Sequence, residues 1–160
     1  MNGFDEEENM KNEKEFSNTI WSSIYRQWMW TDHLRNYFGV ELPEKELNLS
    51  ENFTIEPYWM FMCLWYGVLF TVLESLREIK VDVPEIQKDI NQMFPILKRF
   101  RNAVFHVQKD YWSDKWRNLI LDDVSSDKIT LIHKQVGIFL LKNIAKEALN
   151  AKALGKSESK

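Results

Sequence analysis

The sequence predicts an all-α protein, a single helical bundle of about five to six helices. Three observations predict it. Apolar residues recur at spacings of three and four along most of the chain, and only five Gly and four Pro interrupt its 160 residues. Hydrophobic residues make up 44% and aromatics 14%, with seven Trp, so the chain can bury a real core. The expected outline is two long early helices, a short pair, and a long closing helix. One domain over residues 15–149 lies between an acidic, disordered tail at 1–14 and a flexible tail at 150–160.

Over residues 15–38, Phe16, Ile20, Ile24, Trp28 and Leu34 keep one helical face, and Gly39 suits a terminator. Trp21, Trp30 and Tyr37 widen that face beyond what one neighbouring helix covers. Residues 40–53, with Pro43 and many polar groups, read as a connection. Residues 57–73 hold no charged side chain across seventeen positions. That length is at the lower limit for a bilayer span, but Trp59, Trp65 and Tyr66 are spread through it rather than gathered at its ends, and it continues amphipathically into Glu74, Arg77 and Glu78. The preferred reading is a central bundle helix, with Pro57 at its entrance and Gly67 permitting close approach of a neighbour.

Asp82-Val83-Pro84-Glu85 has the spacing of a capping box and predicts a short helix to about Phe94. Pro95 predicts a break or kink, after which a motif helix runs to about Gln108. Residues 110–113 read as a loop carrying Tyr111 and Trp112, and a further helix follows over 114–121. Residues 122–126 read as a turn. From Asp127 to about Leu149, Ile129, Ile132, Val136, Phe139, Leu140 and Ile144 trace the closing helix.

Composition narrows the function classes. A single cysteine, Cys63, rules out disulfide frameworks and cysteine metal sites. The start of the chain is acidic and polar, unlike a secretory signal, so a cytoplasmic location is expected. Net charge is −3, so any nucleic-acid site must be a local basic patch. There is no Gly-rich phosphate loop, no His-Glu-x-x-His and no clustered metal ligands, so neither cofactor nor metal is expected. His33 and His133 have no charged constellation beside them in sequence and read as structural.

His106 differs. In Lys98-Arg99-Phe100-Arg101-Asn102-Ala103-Val104-Phe105-His106-Val107-Gln108-Lys109, the apolar stripe is Met93, Leu97, Phe100, Val104 and Val107. The opposite face carries Lys98, Arg99, Asn102, His106 and Lys109, and a helical turn would set the Asn102 amide beside the His106 ring. Arg101 sits on the shoulder of the apolar stripe, where a guanidinium needs a partner. An imidazole, with a reference pKa of about 6.5, can take or give a proton at neutral pH, and an arginine fork can hold a pentavalent phosphate. Lys98, Arg99 and Lys109 would steer a phosphate backbone, and Tyr111 or Trp112 would stack on a base; the plain alternative is a solvated face with aromatic core plugs.

Arg101-Asn102-Ala103-Val104-Phe105-His106 resembles the signature of the HEPN superfamily, an Arg followed at short range by His with a polar residue favoured after the Arg. The resemblance covers roughly residues 15–149. It implies metal-independent RNA cleavage by 2′-hydroxyl attack, leaving a 2′,3′-cyclic phosphate, with Arg101, Asn102 and His106 as the catalytic set. On an ideal helix Arg101 and His106 would lie about 140° apart and about 7.5 Å along the axis, an awkward grip on one phosphate. Similar proteins join two motifs across a twofold axis, which implies a homodimer. A toxin or defence role and a nucleotidyltransferase-type antitoxin partner are further implications. The competing reading is a non-catalytic HEPN-like dimer that binds nucleotide, RNA or protein.

Overall fold

The computed structural model describes residues 3–41, 57–106, 119 and 123–155, which are helical apart from the turn at 79–86 and His106. There are four helices among the described residues: α1 (Gly3–Glu41), α2 (Pro57–Glu78), α3 (Gln87–Phe105) and α4 (Asp123–Gly155). Helix α2 packs along α1 on one side and α3 on the other, and α4 lies against α1 and α3. The all-α class holds, while five to six helices is corrected to four among these residues.

The charge-free sequence of α2 explains its central place. Leu69, Phe70 and Val72 are fully buried and Trp65, Tyr66 and Leu73 nearly so, because neighbours cover the helix on most sides. It is the one described helix long and apolar enough to cross a membrane, and more than half of that stretch is buried against other helices. Ile90, Met93, Leu97, Phe100 and Ala103 of α3 and Ile129, Ile132, Val136 and Leu140 of α4 complete the core. Ile24 of α1 is buried in this core, with Ile20, Trp21, Tyr25, Trp28, Leu34 and Phe38 partly buried against it. Between α1 and α4 the Trp28 indole lies against the backbone of Gly137, where a Cβ would collide with the ring. The glycine sacrifices about 1 kcal/mol of helix propensity and admits the indole.

Several boundaries differ from the sequence reading. Helix α1 begins at Gly3, so residues 3–14 are helical, in line with their Glu and Lys content. It also passes through Gly39 without a stop, since no glycine takes a positive φ. The predicted pair of short helices is one helix, α3, with Pro95 inside it. Proline removes the hydrogen bond to the carbonyl four residues back and crowds it, and both Pro95 and Asn91 are exposed, so that carbonyl can tilt toward water. The capping box at Asp82 is not formed: α3 starts at Gln87 after an uncapped Ile86, and the Gln87 side chain accepts from the Val83 N–H at 2.9 Å instead. Helix α4 opens at Asp123 and runs to Gly155, so residues 123–126 are helix rather than turn, and the tail is helical for its first residues. The predicted 40–53 connection from 42 onward, the 110–113 loop and all but Leu119 of the 114–121 helix lie outside the described residues.

At the end of α2 the chain turns through a Schellman arrangement. Val81 N–H donates to the Leu76 carbonyl at 2.9 Å and Lys80 N–H to that of Arg77 at 3.1 Å, with Lys80 at φ 57°. Glycine is the usual residue there, and a lysine in the left-handed region is strained.

Candidate functional site

The basic motif occupies the last turns of α3. Lys98 and Arg99 are exposed, as the polar face requires, and Phe100 is buried on the other side. Arg101, half-buried, finds the partner its position demands in Phe70 of α2. Its guanidinium carbon lies 5.5 Å from the Phe70 ring centre, and Nη1 donates to Asn102 Oδ1 at 3.0 Å. Ring and amide together limit the rotamers of a long side chain, so Arg101 is ordered before any anion arrives.

Asn102 is therefore turned toward Arg101. Helix α3 ends at Phe105, short of the expected end near Gln108, and His106 is its C-cap with φ −122° and ψ 136°, an extended conformation. Residues with β-branched and aromatic side chains, Val104 to Val107, are weak helix formers at this point. His106 is exposed at this helix end. The residue before it, Phe105, packs on α2, where its ring covers Gly67 so closely that a Cβ there would overlap it. Lys109, Tyr111 and Trp112 lie outside the described residues.

A second polar constellation links residues far apart in sequence. His133 of α4 is 2% exposed. Its Nε2 is 3.0 Å from Asp32 Oδ1 on α1, and its Nδ1 is 3.2 Å from both Trp65 Nε1 and Thr31 Oγ1. An indole N–H can only donate, so Nδ1 must accept, which places the ring hydrogen on Nε2, donated to Asp32. The neutral tautomer is thus built in. Burial pushes the His133 pKa below its usual value, aided by the nearby Arg35 charge and opposed by Asp32. Partial burial works to raise the Asp32 pKa, but hydrogen bonds from His133 and Arg35 win and hold it below the usual carboxylate range. Arg35 closes the group with Nη2 at 3.3 Å from Asp32.

Asp32, His133 and Thr31 have the order of a nucleophile triad, yet they cannot act as one. Thr31 is fully buried and its hydroxyl already donates to the Trp28 carbonyl at 2.8 Å. The network instead ties α1, α2 and α4, and Trp28 Nε1 adds a bond to the His133 carbonyl at 3.0 Å. A mainly apolar cavity of about 350 Å³ opens beside it, lined by Trp28, Asp32, Arg35, Lys134, Ile138 and Leu141 among others. The sequence hid this group because Asp32 and His133 are 101 residues apart; the one local hint is Thr31 and Asp32 among tryptophans. His33 is exposed and takes no part.

Burial pushes the Cys63 thiol up to about 12, which keeps it protonated and poorly nucleophilic. Among the described residues no three His, Cys, Asp or Glu side chains are grouped to hold a metal ion. The chain matches no family model, no curated protein and no solved structure.

Proposed function

We propose that this protein is a metal-independent endoribonuclease of HEPN type, acting in the cytoplasm in a toxin or defence role. The observation that carries the reading is the ordered Arg101 guanidinium, held by Phe70 and Asn102, shortly before an exposed His106 at the point where the helix ends. In the proposed reaction an imidazole takes the proton of a ribose 2′-hydroxyl, O2′ attacks the adjacent phosphorus, and the O5′ bond breaks. A second imidazole delivers the proton to O5′, leaving a 2′,3′-cyclic phosphate and a 5′-hydroxyl. Arg101 binds the oxyanion of the pentavalent phosphate with donors not used by Asn102.

This chemistry wants one imidazole on each side of the phosphorus, and His106 is the one exposed histidine at this end of α3. The second comes from another copy, so the reading includes a homodimer with the two α3 ends facing each other. Lys98 and Arg99 lie exposed on the same helix and suit an approaching phosphate backbone. An antitoxin of nucleotidyltransferase type is proposed as the silencing partner. A non-catalytic binding scaffold is the second reading, favoured by Trp30 and Tyr37, which are 54% and 59% exposed and suit a protein contact.

Purified protein incubated with end-labelled RNA, with and without a chelator, separates the two. The enzyme reading expects chelator-resistant fragments ending in cyclic phosphate and no cutting of the matching DNA, which lacks the 2′-hydroxyl. A folded dimer that leaves RNA intact supports the scaffold.

A further inference from the structure

Helices α2 and α3 carry the same short pattern in opposite directions. Phe70 and Arg77 lie seven residues apart on α2, and Phe94 and Arg101 lie seven apart on α3. The arginine of each helix covers the phenylalanine of the other: Arg77 sits 4.8 Å from the Phe94 ring centre and Arg101 5.5 Å from that of Phe70. The two rings meet between them at 5.0 Å. Two guanidinium groups thereby rest on the two rings of one aromatic pair between α2 and α3.

Arg77 is the less committed of the two. Arg101 gives a donor to Asn102, whereas Arg77, exposed and resting on the Phe94 ring, makes no hydrogen bond or ion pair among the described residues. Beside it a cavity of about 250 Å³ is walled by Arg77, Lys80, Gln87, Asn91 and Phe94, with Asp82 as its one acid. Two cations against one carboxylate leave the lining net positive. The α2 carbonyls that would repel an anion here are partly consumed, since those of Leu76 and Arg77 accept from Val81 and Lys80. Lys80 also holds its strained φ of 57° at a position that glycine would fill without strain, and it is one of the residues lining this cavity.

We propose that Arg77 and Lys80 form a second phosphate subsite for the RNA strand, binding a non-reacting phosphate while Arg101 serves the reacting one. An ordered guanidinium with unspent donors and an adjacent ammonium match a phosphodiester, and a strand carries one such charge per nucleotide. The identity of the strand as RNA rests on the ribonuclease reading.

The test uses the full chain carrying His106→Ala, so that binding is read without cleavage, and adds Arg77→Gln or Lys80→Gly. Binding of a labelled single-stranded RNA is measured across a salt series. Each change is expected to weaken binding about tenfold or more, and to make the slope of log K against log salt shallower by about 0.7. Lys80→Gly is also expected to raise Tm by roughly 2–4 °C, since glycine adopts the left-handed conformation freely, so its binding loss cannot be misfolding. If both variants bind as the parent does with the same slope while the wild type still cuts RNA, the subsite is overturned and the ribonuclease reading stands. If the slopes fall as expected but the wild type does not cut, the subsite stands and the catalytic reading falls. A parent that binds no RNA overturns both. If millimolar inorganic phosphate raises the parent's Tm but not that of Arg77→Gln, while RNA binding ignores Arg77, the pocket takes free phosphate and the RNA subsite is overturned.

Discussion

Gly67→Ala, made alone and together with Phe105→Ala, probes what places His106. Phe105 is half-exposed and rests its ring on Gly67, so a methyl at 67 must displace that ring. An aromatic side chain buries about 200 Å² when fully covered, so lifting a half-covered ring exposes about 100 Å², or about 2.5 kcal/mol at 25 cal/mol per Å². Glycine to alanine inside a helix returns about 1 kcal/mol of propensity. The net is a loss of up to about 1.5 kcal/mol, which for this chain length lowers Tm by about 3–6 °C. Without the ring the methyl has nothing to strike, so in the Phe105→Ala background the same change should stabilise by about 1 kcal/mol. Thermal or denaturant unfolding of the four proteins reads this reversal of sign as a coupling energy. RNA cleavage should fall in Gly67→Ala, because the residue moved is the neighbour of His106. A Tm that rises in both backgrounds, with cleavage intact, refutes the seat.

Three other expectations rest on separate features. His133 has a lowered pKa, so the unfolded chain takes up a proton at this ring that the native state refuses. Its contribution to stability is complete above about pH 6.5 and declines below it, by up to about 1.4 kcal/mol per pH unit, until the native ring titrates. His133→Gln, whose amide can still donate to Asp32, should lose this slope in unfolding measurements from pH 7 to 5; an unchanged slope contradicts the neutral tautomer. Asp32, also lowered, acts in a different window, its contribution fading only as pH falls below 3.8. Arg101→Lys keeps the charge but loses the planar fork on Phe70, so RNA cleavage should drop sharply with the fold retained, and equal activity would remove the phosphate-holding role. Sedimentation at micromolar concentration should find a dimer, and a fully active monomer would end the shared-site idea.

Helix positions were legible because burial imposes a 3.6-residue period, and α2 in particular announced itself by lacking charge. Helix ends were less so. Pro95 looked like a boundary, yet the carbonyl it orphans is on the exposed Asn91, and the core stripe of Ile90, Met93, Leu97 and Phe100 runs straight past it. The need of Arg101 for a partner was readable from its place on the stripe, whereas the partner itself, Phe70, is 31 residues away and depends on how α2 and α3 align. Periodicity carries the expected helix past His106 to about Gln108, and the packing of Phe105 on Gly67, which no local pattern reveals, goes with a helix end at Phe105. The Asp32–His133 pair has no local signal for the same reason, since tertiary contact joins residues 101 positions apart.

The account turns on His106 as the proton-transfer group, and the most direct test compares wild type and His106→Ala on labelled RNA in the presence of chelator. His106 is exposed at a helix end, so the alanine protein should keep its fold and Tm. General acid and base help is worth about a hundredfold to ten-thousandfold, and cleavage should fall by at least the lower of these. A folded His106→Ala protein that cuts RNA at the wild-type rate would contradict the account.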